Sequence, residues 1–260
     1  MPDTALMPDQ SLQASLTREG YVFVHADDMR RALESFGSLD DWPAFAGSWN
    51  DLEIDPYMAD GGRYRRRRHA VYRAMADGSI AREPARPHFQ ALDYNPLNGG
   101  VARWFEPVTP AAGGGPSMQT ILAFCRALFD QLWNGNPLNL SNPSNPLNPS
   151  NLVRWAIEVH QFRIEARPDA EGRPTPEGMH RDGVDYVLVL LVNRCNIASG
   201  TTAILGADGR ELGRFTLTQP LDAALVDDAR VSHGVTPVQA LDALAPAYRD
   251  VLVVTFKNAA

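Results

Sequence analysis

Cysteine is scarce: Cys125 and Cys195 are the two in 260 residues. Neither sits in a Cys-x-x-Cys pattern, so a disulfide framework is excluded and a reducing, cytoplasmic setting is expected. Long apolar runs are missing too. The longest, Val187 to Val192, falls far short of the about 20 residues that cross a bilayer. Met1 to Leu16 is polar and has no basic segment leading into an apolar one, so no secretory leader is expected. A basic excess is also lacking: 24 Lys plus Arg stand against 31 Asp plus Glu, a formal charge of −7. That balance argues against nucleic-acid or anionic-membrane partners, with Arg65 to Arg68 as a local exception.

What is present reads as a turn-rich globular domain: 44% apolar residues, 21% charged, and 20 each of Gly and Pro. One domain spanning 1–260 is expected, with a low-complexity Asn-Pro insertion at about 136–151 whose prolines disfavour helix and which has little apolar surface to bury. Helical spacing marks Met29, Ala32, Leu33 and Phe36 after the cap-forming Asp27-Asp28. It also marks the aromatic series Trp42, Phe45, Trp49 and Leu52, and a long stripe from Ser117 to Trp133 that takes in Cys125 as core. Elsewhere short β-prone runs alternate with turns. Strands are expected at Tyr21 to Val24, Arg63 to Tyr72, Arg86 to Leu92, Val153 to Glu165 and Tyr186 to Val192. Others are expected at Gly200 to Leu205, Arg214 to Leu217, Ala223 to Val226 and Tyr248 to Phe256. This is a mainly β pattern with flanking helices, a sandwich or barrel.

Chemistry gathers after the turn Pro176-Glu177-Gly178. His180 and Asp182 lie two apart, so in extended chain both point to one face. His233, after Asp227-Asp228, is available as a third ligand. Two imidazoles and one carboxylate on one face of a metal are the donor set of non-haem Fe(II) oxygenases, which leaves positions open for a co-substrate and O2. Such a centre keeps a positive charge suited to a 2-oxo acid, whose far carboxylate an arginine across the barrel would grip with two prongs. Alternation puts Arg65, Arg67 and His69 on one face of their strand. It puts His160 on one face of the next and Arg163 on the other. A solvated charge run and a paired core histidine are the plainer readings of Arg65 to Arg68 and of His160.

Taken together, Gly178-Met179-His180-Arg181-Asp182-Gly183, Asn193-Arg194-Cys195-Asn196-Ile197, Asp228 to Pro237 and Arg249 to Phe256 resemble the bacterial 2-oxoglutarate/Fe(II)-dependent dioxygenase family that includes the L-isoleucine hydroxylases. Asp55-Pro56-Tyr57, Gly61 to Arg65 and His160-Gln161-Phe162-Arg163 share the likeness. The resemblance implies a double-stranded β-helix, the cupin-like jelly roll. It implies His180, Asp182 and His233 as catalytic iron ligands and Arg249 as the anchor of the 2-oxoglutarate C5 carboxylate. It further implies Fe(II), 2-oxoglutarate and O2 as the working set, with decarboxylation to succinate coupled to hydroxylation of an unactivated C–H bond.

The substrate this implies is small, a free aliphatic L-amino acid. Its carboxylate would meet Arg163 or one of Arg65 to Arg68, and its ammonium Glu158 or Asp185; Arg163, His160, Arg65 and Arg67 are the substrate-binding candidates. Self-association into a homodimer is left open. Two competing readings are a Zn(II) hydrolase on the same three ligands and a jelly-roll binding module without catalysis.

Overall fold

A computed structural model describes residues 8–75, 77–135 and 154–259; the Asn-Pro insertion lies outside the described residues. In chain order the elements are helix α1 (Pro8–Glu19), strand β1 (Tyr21–Val24), α2 (Ala26–Glu34), α3 (Trp42–Gly47) with a 3₁₀ turn at Ser48–Asp51, and β2 (Glu53–Ile54). Then come β3 (Arg65–Ala74), β4 (Ile80–Arg82), α4 (Pro110–Gly114), α5 (Pro116–Gly135), β5 (Trp155–Ala166) and β6 (Tyr186–Cys195). The chain ends with β7 (Ile197–Ser199), β8 (Thr201–Gly206), β9 (Glu211–Thr216), β10 (Ala223–Asp227), β11 (Val231–Val235), β12 (Val238–Ala240) and β13 (Ala247–Asn258).

An antiparallel sheet runs β1-β10-β6-β13-β5-β3-β2, with β4 added on β3. Facing it are the smaller sheets β11-β8-β9 and β12-β7. Single bridges extend these smaller sheets, His180 to His233 on β11 and Gly172 to Val238 on β12. The two layers make the expected jelly roll.

Side-chain alternation divides the labour of the large sheet. On β5, Trp155, Ile157 and Val159 face one way; on β13, Leu252, Val254 and Phe256 do the same. With Tyr72, Leu188 and Leu225 they pack against the helices through Met29, Leu33, Phe45, Trp49, Ile121, Leu122, Phe124, Cys125, Leu128 and Phe129. Each large apolar side chain taken fully from water contributes about 1.5–3 kcal/mol before conformational entropy is counted, so this layer dominates stability. The opposite faces of the same strands carry Glu158, His160 and Phe162 on β5, Arg65 and Arg67 on β3, and Arg249, Val251 and Val253 on β13, and they look into a cavity beneath the small sheet.

Local expectations meet three corrections. Arg86 to Leu92 forms no strand; within it His88 makes a single bridge to Arg103, and the chain around them is irregular. The aromatic series is split between α3 and the 3₁₀ turn, although Phe45, Trp49 and Leu52 are buried as its spacing required. Helix α2 begins at least two residues earlier than its acidic pair suggested: the N-cap is His25, and Asp27 and Asp28 occupy the first turn, where they complement the helix dipole. Helix α1 was not anticipated from its polar sequence; Leu16 is its buried contact with the core.

Candidate active site

His180 stands on the bridging segment beside β11, and its backbone exchanges both hydrogen bonds with that of His233 (His180 N to His233 O 3.0 Å, His233 N to His180 O 2.9 Å). Directly opposed residues of antiparallel chains share a face. The two imidazole centroids accordingly lie 4.6 Å apart. His180 Nδ1–H donates to Gly178 O at 3.1 Å, which turns Nε2 toward Asp182. That Nε2 lies 3.6 Å from Asp182 Oδ1, and His233 Nε2 lies 3.7 Å from Asp182 Oδ2. The three ligand atoms fall within 4.8 Å of one another.

The loop that carries Asp182 is held by a carboxylate outside this trio. The backbone N–H groups of Asp182, Gly183 and Val184 all donate to Asp228, at 2.9, 2.8 and 3.2 Å. Gly183 takes φ +78°, and a Cβ there would come within 2.7 Å of the Tyr94 ring, so this turn needs glycine twice over.

Electrostatics hold the group together. Burial opposes the charge on His180, but its hydrogen bond to Asp182 and the charges of Asp182 and Glu177 outweigh burial and raise its pKa to about 9. His233 is pushed down to about 4, first by burial and then by His180. Burial works against the Asp182 carboxylate, yet the two histidines bring it to about 2. At neutral pH the Asp182 carboxylate is ionised and His233 is neutral, so the proton that a divalent ion would displace on binding is the one held on His180. His233 Nδ1 and Glu177 Oε2 are buried without hydrogen-bond partners among the described residues.

The trio opens into a cavity of about 340 Å³. Arg249 enters from β13, 2% exposed, with Nε and Nη2 lacking partners among the described residues. Burial and then Arg194 lower its pKa to about 10, which still leaves a full positive charge at neutral pH. Buried, unpaired guanidinium nitrogens aimed into a cavity call for an anion.

A family model described as 2OG-Fe dioxygenase matches residues 46–255. The chain belongs to the 2OG-Fe dioxygenase family. It is similar to the 3(1)-hydroxy-L-isoleucine 4-dioxygenase of Pantoea ananatis, with 25% identity over 250 residues and 94% of each chain covered. It is also similar to the L-isoleucine-4-hydroxylase of Bacillus thuringiensis, 28% identical over 208 residues, covering 79% of this chain and 78% of that one. Among solved structures, a bsmA homologue from Methylobium petroleophilum superposes with a TM-score of 0.82 at 34% identity, covering 96% of this chain and 93% of that one. The fold is shared with a structure titled IDO from Bacillus thuringiensis, TM-score 0.74 at 19% identity, covering 97% and 100%.

As a non-haem iron dioxygenase the protein uses Fe(II) and 2-oxoglutarate, and its residues fit both groups. Two imidazoles and a carboxylate suit a ferrous ion, and the partnerless Arg249 suits a dicarboxylate. Neither the zinc hydrolase nor the non-catalytic module finds support in this family. Among the described residues, no helix of the dioxygenase is long and apolar enough to cross a membrane.

The remaining sequence candidates separate. Arg65, Arg67 and His160 line the cavity, as the alternation of β3 and β5 required. Arg65 Nε donates to Asp55 at 2.8 Å, and Arg67 Nη2 donates to His160 Nδ1 at 2.7 Å while its guanidinium stacks on Phe105. Arg163 is a correction. It lies on the other face of β5, gripped through Nε and Nη2 by Asp250 at 2.7 and 2.8 Å and stacked on Tyr248, so it does not reach the cavity. Asp185 is likewise elsewhere, accepting the Asn258 N–H at 2.6 Å, whereas Glu158 is in the wall.

Sequence reasoning passed over His88, Arg103, Glu177 and Asp228. His88 fell in a stretch read as a strand without a role for its side chain, and Arg103 sits in irregular chain with no period to read. The others flank the His-x-Asp and His233 segments, where a carboxylate near a metal motif was the available signal.

Proposed function

We propose that this dioxygenase hydroxylates a free aliphatic L-amino acid. In this reading His180, Asp182 and His233 hold Fe(II), and Arg249 binds the far carboxylate of 2-oxoglutarate. The observation that carries it is the convergence of three ligand atoms on one point of a cavity whose far wall presents an unpaired buried guanidinium. The substrate class rests on the isoleucine-directed names of both curated relatives.

When bound, the iron couples decarboxylation of 2-oxoglutarate by O2 to hydroxylation of a C–H bond. The chain's own work is to bind, orient and keep water out. Gly178 O fixes Nδ1–H and the plane of His180, so that Nε2, once it gives up its proton, would present its lone pair to the ion. Asp228 fixes the backbone from which Asp182 projects. Arg249 sets the orientation of the co-substrate with a planar fork, which a lysine lacks. Phe162, Val189, Val235, Val251 and Val253 surround the space with apolar surface, which suits an aliphatic side chain.

The test is a panel of free amino acids incubated with Fe(II), 2-oxoglutarate and O2, read as succinate formed and hydroxylated product. Stimulation by aliphatic L-amino acids is expected; stimulation by none of them refutes the substrate assignment.

A further inference from the structure

On the wall of the cavity formed by β3, β5 and the irregular chain around His88, charge is arranged about one carboxylate oxygen. Glu158 Oε2 lies 2.6 Å from His88 Nδ1, 3.1 Å from His69 Nε2 and 3.6 Å from His160 Nε2. Three histidines and a glutamate suggest a second metal centre, but the hydrogen bonding speaks against it. A guanidinium carries only N–H donors, so Arg67 donates to His160 Nδ1, and the His160 proton must be on Nε2, facing Glu158. The imidazoles address Glu158 as donors, and their lone pairs are not offered to an ion. Burial first, and then neighbouring arginine charge, keep His160 well below its ordinary pKa; burial also lowers His88 against the pull of Glu158. The imidazoles gather on Oε2 and orient the carboxylate, and Oε1 takes no part in these contacts.

Arg103 is brought beside this group by the bridge between residues 88 and 103. His88 N donates to Arg103 O and Arg103 N to His88 O, both at 2.9 Å. Directly opposed residues project to one side, and both side chains line the cavity. Arg103 is 2% exposed, and among the described residues its Nε and Nη2 have no hydrogen-bond partner and it makes no ion pair. Among the described residues Arg65 has Asp55 and Arg67 has His160, whereas Arg103 has no acceptor. Glu177, the other carboxylate there with a partnerless oxygen, stands 3.6 Å from His180 Nε2 and belongs to the metal end.

We infer that Arg103 and Glu158 form a clamp for the two charges of a zwitterionic α-amino acid, Arg103 taking the carboxylate and Glu158 Oε1 the ammonium, with His88 setting the distance between them. The inference deepens the substrate reading above and rests on it. It explains why a buried cation and a fixed anion share this wall without pairing: each group awaits the opposite charge of the ligand. It also moves the carboxylate anchor away from Arg163, Arg65 and Arg67, all of which have internal partners.

The test compares the best amino acid of the panel with its carboxamide and its N-acetyl derivative, for the whole enzyme and for Arg103→Gln, reading both kcat/KM and calorimetric affinity. In the unaltered enzyme each derivative is expected to lose about tenfold to a hundredfold, the worth of one buried charge-assisted hydrogen bond. In Arg103→Gln the parent amino acid weakens by that factor, the difference between acid and amide collapses, and the KM for 2-oxoglutarate is unchanged. Arg103→Lys, which keeps the charge if the glutamine variant does not fold, retains the preference for acid over amide. Glu158→Gln narrows the discrimination against the N-acetyl compound. An acid-over-amide preference unchanged in Arg103→Gln overturns the clamp and leaves the amino-acid reading standing. Absence of stimulation by every free amino acid overturns both.

Discussion

The backbone N–H of Asp182 donates to Asp228 Oδ1 at 2.9 Å, so the carboxylate that completes the His-Asp-His trio is itself held by a carboxylate 1% exposed. Gly183 and Val184 add their N–H groups to the other oxygen. The site is therefore built from β10–β11 outward: the turn that follows β10 supplies Asp228, and β11 supplies His233.

Asp228→Asn replaces one of the two acceptor oxygens with an NH2 group that faces backbone donors. Iron affinity is expected to fall about 10–100-fold, the usual cost of losing support behind a ligand, with succinate formation falling in parallel. Iron titration followed by turnover at saturating iron checks this; unchanged affinity refutes the supporting role.

Asp182→Ala removes the only carboxylate of the trio. Iron binding and turnover are expected to vanish, while the melting temperature of the metal-free protein stays close to that of the unaltered chain, because Asp182 packs no part of the apolar core. Metal analysis and circular dichroism on the same preparation separate loss of the site from loss of the fold.

Arg249→Lys keeps the charge and loses the fork. The KM for 2-oxoglutarate is expected to rise about tenfold or more, with iron content unchanged. A normal co-substrate requirement would place the anchor elsewhere.

Asp55 sits 2% exposed beneath Arg65 and Arg67. Burial opposes its charge, yet the two guanidinium groups bring its pKa below the ordinary carboxylate value. As pH falls, the unfolded chain takes up this proton first. Its contribution to stability is present in full above about pH 4 and is lost as pH drops through the lower folded value. Asp55→Ala, which leaves two buried arginines uncompensated, is expected to cost about 3–5 kcal/mol at neutral pH and to flatten the acid limb of the stability curve. Urea melts between pH 2 and pH 7 test both; parallel curves for the two proteins would exclude the pairing.

The sequence by itself determined the layers. Period-two alternation in β3, β5 and β13 assigns one face to apolar packing and the other to the cavity, because successive side chains of a strand must point oppositely. That rule put Arg65 and Arg67 on one face of β3 and His160 and Arg163 on opposite faces of β5, and the fold then decided which of these faces share the cavity. The i, i+2 spacing likewise made His180 and Asp182 neighbours before any fold was known. Tertiary structure alone decided the rest. The opposition of His180 and His233, the hold of Asp228 on Asp182, and the meeting of His88 and Arg103 beside Glu158 all join residues distant in the chain. Such contacts depend on how strands cross and loops close, and no local period records them.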